Sequence, residues 1–171
     1  ALASAARQGV LIKGGAYLEE AARLATVAFD KTGVLTSGEP RVTRLMPLNG
    51  YDSRDVLRRL AALESQSGHP VARAIVRHAR EQGIAVESAG QFQTRHGRGA
   101  EASVGGERFW AGSLRFMEEK GIRAEIPGGL VGTVMACGTD QEAWALVQLE
   151  DPVRPEAVQA VRDIRAGGIR R

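Results

Sequence analysis

The sequence predicts an α/β protein in which a parallel α/β unit is interrupted by an α+β unit, an antiparallel sheet flanked by helices. Three observations predict it. An apolar, β-branched run, Thr26-Val27-Ala28-Phe29, delivers Asp30 into a turn containing Gly33, so a strand is expected to end at Asp30. From residue 84 the chain changes to short alternating runs around Gly105-Gly106, a pair suited to a tight hairpin turn with positive φ. Pro155-Glu156 then opens a helix, VQAVRDIRA, and Ile169 reads as the first residue of a returning strand. The expected boundaries are 1–45 for the first part of the outer unit, 46–138 for the insert and 139–171 for the second part.

Each element has a local reason. Ala1 to Arg7 starts inside what looks like a helix, and residues 15–24 (GAYLEEAARL) form another ahead of the Asp30 strand. Beyond Pro40, Val42 to Met46 is extended. Val56, Leu57, Leu60, Ala61 and Leu63 fall on one helical face, with Asp52 or Ser53 to cap the free N–H groups and a stop near Ser67-Gly68. Pro70 opens the next helix, where its missing N–H costs nothing; Val71, Ala74, Ile75 and Ala79 face its core and Gly83 closes it. Gln91 to Thr94, Ala100 to Val104 and Phe109 to Ala111 read as strands. Ser113 caps a short helix, Leu114 to Lys120, ended by Gly121. Leu130 to Cys137 and Glu142 to Leu149 make a further strand pair.

Composition excludes several function classes. The 171 residues are 43% hydrophobic and 25% charged, an ordinary globular mixture. The 23 basic and 20 acidic residues leave a net charge of +3, and the arginines are scattered among acids, so no nucleic-acid patch is expected. Cys137 is the single cysteine, which rules out a disulfide framework and reads as a small buried apolar residue. No apolar run approaches the ~20 residues that cross a bilayer.

On the residues alone, Asp30 is a turn residue, a metal ligand or a nucleophile. Its place at the carboxyl end of a parallel strand is where open α/β sheets hold ligands. His69, in the elbow Ser67-Gly68-His69-Pro70, is a helix cap or an imidazole aimed into a cleft. Glu64 is a solvated helix-end carboxylate or a hydrogen-bond acceptor near that elbow. Gly97 and Gly99 make a turn or let a backbone approach a ligand with no side chain in the way. His78 lies on a polar helix face, His96 is expected not to bind, and Trp110 and Phe92 read as core.

Asp30-Lys31-Thr32-Gly33-Val34-Leu35-Thr36 resembles the DKTGTLT phosphorylation motif of P-type ATPases. Glu64 to Pro70 is similar to the Glu-x-x-Ser-x-His-Pro signature of the heavy-metal-transporting class, and Gly97-Arg98-Gly99 with Ala102 to its glycine pair. Gly112-Ser113 stands where that class reads Gly-Asn, and Asp151 to Ala157 resembles the segment returning to the phosphorylation domain. These motifs run in family order along essentially the whole chain.

The resemblance implies an α+β nucleotide-binding domain inserted into a partial haloacid-dehalogenase-like (Rossmann-like) phosphorylation domain. It implies ATP and Mg²⁺ as cofactors, with Asp30, Lys31 and Thr32 catalytic. Asp30 would attack the γ-phosphate and touch Mg²⁺, while Thr32 would offer its carbonyl to the metal and its side chain to phosphate. Glu64, His69, Gly97, Gly99, Gly112 and Ser113 would line the nucleotide pocket. Val34 replaces a Thr but keeps a β-branched side chain at the turn, and Ser113 keeps a hydroxyl while losing the amide's donor–acceptor pair. Soluble phosphatases of the wider superfamily carry a second Asp two residues after the nucleophile, and Thr32 here cannot take a proton from water. The family's later Thr-Gly-Asp and Gly-Asp-Gly loops and its membrane helices do not occur in the 171 residues. The expectation is therefore a monomeric cytoplasmic piece of a bacterial plasma-membrane pump that binds ATP or ADP but does not phosphorylate itself. Its transported heavy-metal ion would bind elsewhere in the full-length protein. The alternatives are a non-catalytic nucleotide-binding regulatory module and a soluble aspartyl-phosphatase.

Overall fold

The computed structural model describes residues 2–169. In chain order its elements are α1 (Leu2–Arg7), α2 (Gly15–Ala21), β1 (Arg41–Pro47), α3 (Ser53–Glu64), α4 (Pro70–Glu81), β2 (Gly90–Arg95), β3 (Gly99–Val104), β4 (Glu107–Ser113), α5 (Leu114–Glu119), β5 (Thr133–Thr139), β6 (Ala143–Glu150) and α6 (Pro155–Ala166). They divide into two compact units, one running to Leu35 and resuming at Val153, the other spanning Thr36–Pro152.

The Thr36–Pro152 unit is built on one six-stranded sheet in the order β1-β6-β5-β4-β3-β2, every neighbouring pair antiparallel. Strand alternation gives the sheet two apolar faces. One receives α3 and α4 through Val56, Leu60, Leu63 and Ile75, packed on Phe109, Ala111, Cys137 and Val147. The other holds Trp110, Ala136 and Leu146 under Phe116 and Met117 of α5. Trp110 Nε1 donates to the Thr139 carbonyl at 2.6 Å, so the largest buried side chain leaves no polar atom unpaired. Trp144 is stacked on Tyr51 (4.1 Å between centroids), meets Phe109 edge-on, and lies under the Arg59 guanidinium. Cys137 is fully buried, as its isolation suggested.

In the other unit, the expected strand at Thr26–Phe29 is not formed, and the one expected to begin at Ile169 would lie outside the described residues. No parallel strand pair occurs among the described residues. A β-branched run becomes a strand only when a neighbour completes its hydrogen-bond ladder and covers its faces. No described residue does so here, and Phe29 stays 40% exposed. The expected boundaries also shift. β1 pairs with β6 from Arg41↔Glu150 to Pro47↔Ala145, so residues 41–45 and 143–150 belong to the antiparallel sheet, and the divisions fall after Leu35 and after Pro152. Sequence patterning sees the strands but not which sheet they join.

A buried ion cluster, unmarked in the sequence reading, fixes α5 to the sheet. Glu101 on β3 is 4% exposed and accepts from Lys120 (2.6 Å), Arg108 (2.8 Å) and Arg95 (3.0 Å), while Lys120 also reaches Asp140 at 2.7 Å. Burial alone pushes the Glu101 carboxyl upward, but the hydrogen bonds from Lys120, Arg108 and Arg95 outweigh it and hold it at about 2. The folded state thus binds this proton more weakly than the unfolded chain. The stabilisation is present above the ordinary glutamate pKa of 4.5 and is lost as pH falls toward 2. Its size is on the order of 2 kcal/mol after discounting the half-exposed arginines for solvent screening. Glu101→Gln is expected to be less stable than the parent at pH 6 and to differ much less at pH 3, which urea unfolding at the two pH values checks.

Candidate functional site

The DKTG segment folds as a type II turn. Thr32 (φ −78°, ψ 121°) and Gly33 (φ 77°, ψ −8°) are its central residues, and only glycine takes the second position without strain. The Lys31 N–H donates to Asp30 Oδ1 at 2.8 Å, which orients the carboxylate. Asp30, Lys31 and Thr32 are all exposed, and Val34, at 51%, faces out beside them. Beyond Leu35, the start of the second unit is tied to its end. Asp151 accepts from the Thr36 hydroxyl (2.5 Å), the Ser37 hydroxyl (3.0 Å) and the Gly38 N–H (3.0 Å). The Thr36 bond, against a smaller burial penalty, leads these donors in holding the Asp151 carboxyl below the usual range.

Around the α3–α4 elbow the residues fall differently from one another. Glu64, in the last turn of α3, is 7% exposed and receives no side-chain hydrogen bond among the described residues. Desolvation by burial raises its carboxyl to about 7, so at neutral pH it is poised between its two forms. A cleft of about 400 Å³ opens beside it, walled also by Ser65, Ser67 and the α4 arginines Arg73, Arg77 and Arg80. His69 is exposed and is the N-cap of α4: its Nδ1 accepts from the Val71 N–H at 3.2 Å, with Pro70 at the first helical position. The capping alternative is realised. It also places the ring proton on Nε2, leaving a donor directed away from the helix.

The glycines divide into two kinds. Gly97 has φ +68° with open space where a Cβ would stand, the requirement of a turn. Gly99 and Gly112 are register partners on β3 and β4. A Cβ on Gly99 would lie 2.1 Å from the Ala111 carbonyl oxygen, and one on Gly112 would lie 2.4 Å from that of Arg98 and 2.7 Å from Phe116. Their missing side chains are thus demanded by neighbouring backbone and by α5, not by open space for a ligand. Ser113 caps α5, its Oγ accepting from the Phe116 N–H, and its own N–H donates to Arg98. The structure brings Gly99, Gly112 and Ser113 together at one strand end, and Glu64 near the elbow of His69. Of the other histidines, His96 is exposed and His78 half-buried.

The haloacid dehalogenase-like hydrolase model matches residues 24–171. The chain belongs to the haloacid dehalogenase-like hydrolase family. Its relatives in that family are heavy-metal P-type ATPases. It is 38% identical to a zinc/cadmium/lead-transporting P-type ATPase of Shigella sonnei over 172 residues, 99% of this chain but 23% of that protein. A crystal structure of a zinc-transporting PIB-type ATPase in its E2.Pi state superposes with a TM-score of 0.77 at 35% identity, covering 99% of this chain and 28% of that one. The N-domain of a copper-transporting P-type ATPase covers 66% of this chain and 99% of itself, at 30% identity and a TM-score of 0.53. The haloacid dehalogenase-like chain therefore spans less than a quarter of the first of these relatives, and none of its described helices is long and apolar enough to cross a membrane.

The glycine geometry has a measurable consequence. Gly99→Ala forces β3 and β4 apart and is expected to cost about 1–3 kcal/mol by overpacking, whereas Gly97→Ala meets no atom and is expected to cost only the left-handed backbone penalty of about 1–2 kcal/mol. Urea unfolding of both variants checks this. Loss of β3–β4 amide protection from exchange in Gly99→Ala alone identifies its cause.

Proposed function

We propose that this chain is the ATP-handling segment of a heavy-metal-transporting P-type ATPase. Thr36–Pro152 takes up the nucleotide, and Asp30 accepts its γ-phosphoryl group to drive metal export by the rest of the protein. The observation that carries the reading is Glu64, an interior carboxyl with no hydrogen-bonding partner among the described residues and a cleft beside it. Burial without a compensating bond raises this carboxyl, so its retention at the wall of a cleft points to an acceptor kept for a ligand donor such as an adenine amino group. His69 supports this with its outward Nε2 donor, and the DKTG turn supports the second half with an exposed, oriented carboxylate. The roles of Lys31, Gly97, Gly99, Gly112 and Ser113 belong to the same proposal.

Asp30 Oδ1 is engaged by the Lys31 amide, so Oδ2 is the nucleophile. The new O–P bond forms as the bond from the γ-phosphorus to its bridging oxygen breaks, and ADP leaves with the electron pair. The Asp30 carboxylate and the Thr32 carbonyl are hard oxygen donors that fit Mg²⁺, an ion that keeps several waters. When bound, Mg²⁺ neutralises charge on the phosphates. No group of three His, Cys, Asp or Glu residues able to hold a metal ion occurs among the described residues. Thr32 supplies no carboxylate to activate water, so the aspartyl phosphate persists long enough to do work, which disfavours the soluble phosphatase alternative. Zinc- and copper-transporting relatives both resemble the chain, and the cargo is chosen elsewhere in the protein. In this reading the segment works on the cytoplasmic side of a bacterial membrane.

Two measurements test the halves separately. His69→Asn keeps a capping oxygen but loses Nε2, so its melting temperature is expected to stay near the parent's while ATP affinity falls several-fold, the roughly 0.5–1.5 kcal/mol of one net hydrogen bond. Calorimetry and a thermal melt on the same sample check it, and unchanged affinity would remove the nucleotide role. For Asp30, this segment grafted in place of the matching one of a full-length relative is expected to take acid-stable label from γ-labelled ATP. Label persisting in Asp30→Asn would refute the nucleophile assignment.

A further inference from the structure

We infer that Arg154 is a positioning residue for the Asp30 turn, an inference that rests on the proposed role of Asp30 as phosphoryl acceptor. Arg154 occupies the N-cap of α6, directly before Pro155, with extended backbone angles (φ −65°, ψ 135°). Helices favour Ser, Thr, Asp or Asn there, because a side-chain oxygen can accept from the first free N–H groups. A guanidinium has no acceptor, and α6 accordingly has no side-chain cap. The residue type is therefore wrong for the helix it begins.

It is right for the turn. Arg154 Nη2 donates to the Gly33 carbonyl at 3.1 Å, and the Arg154 N–H donates to the Leu35 carbonyl at 2.9 Å. Two carbonyls on alternate residues are thus held by one residue more than a hundred positions away in the chain. Gly33 is the left-handed corner of the turn (φ 77°), and the Thr32 carbonyl and Asp30 carboxylate lie immediately before it. A glycine corner by itself is the most freely rotating place in the segment. Fixing the peptide after Gly33 from Arg154, and the carboxylate from the Lys31 amide, holds the turn at both ends. Phosphoryl transfer depends mainly on such positioning, because the reacting groups need little further chemistry from the protein. A fixed positive donor behind the turn accordingly acts on Asp30 without touching the reacting atoms.

The substitution that separates this role from a structural one is Arg154→Ser. Serine provides the cap that α6 lacks and keeps the backbone bond to Leu35, so α6 is expected to stay as protected from amide exchange or become more so. The Gly33 carbonyl ¹³C resonance is expected to move upfield as it loses its donor, and the amide order parameters of Lys31, Thr32 and Gly33 to fall. Arg154→Lys, which keeps a cationic donor, is expected to recover part of both changes. The spectra are read on the 171-residue chain. An unmoved Gly33 carbonyl with unchanged order in Arg154→Ser overturns the inference, as does an equal loss in Arg154→Lys and Arg154→Ser. The phosphoryl-label measurement on Asp30 can fail without altering these spectra, and the spectra can fail while Asp30 is still labelled.

Discussion

The antiparallel pairing of β1 with β6 is the constraint on which the larger unit depends. It joins residues that lie about a hundred positions apart, Arg41↔Glu150 at one end and Pro47↔Ala145 at the other. Closing so long a loop costs chain entropy that grows slowly with length, and the ladder, with Val147 and Leu149 buried in the core it helps to close, offsets it. Once it is closed, the chain enters and leaves the unit at the same place. The Asp151 bonds to Thr36, Ser37 and Gly38 then seal that entrance with donors that no neighbour in sequence could provide.

The other polar groups of this unit follow a similar economy. Glu101 is buried because three cations surround it, and it ties α5 to the sheet. Glu64 is buried with none among the described residues, and its carboxyl is raised where that of Glu101 is lowered. Two glutamates on one framework are driven apart by partner supply alone, since burial pushes both upward. The paired one belongs to the architecture; the other is where, in the proposed reading, a ligand donor would bind. His69 combines the two uses, one ring nitrogen spent on the helix and the other free to face outward.

Glycine shows how a motif and a fold can require the same residue for different reasons. Gly97 and Gly99 stand two apart and read as one feature, yet one is a turn with open space above it and the other a point where strands nearly touch. That Gly112 is the cross-strand partner of Gly99 is invisible to any local pattern, because the relation is a register and not a spacing. The ion cluster on Glu101 escaped for a related reason. Its arginines and lysine come from β2, β4 and the end of α5, and only a sheet brings them to one carboxylate.

What the sequence determined by itself was local and chemical. The apolar faces of α3 and α4, a cap at Asp52 or Ser53, the Ser113 cap, Pro70 and Pro155 at helix starts, and the glycine corner of the DKTG turn all follow from neighbours within a few residues, where periodicity and backbone sterics suffice. Thr26 to Phe29 had the composition of a strand but not the partner, so it formed no ladder. Tertiary structure alone decided which strands share a sheet, where the two units divide, that Glu64 is buried without a cation while Glu101 gathers three among the described residues, and that Arg154 serves the turn of Asp30 and not the cap of its own helix. Those outcomes depend on contacts between residues far apart in the chain, and such contacts exist only once hydrophobic burial has fixed the register of the sheet.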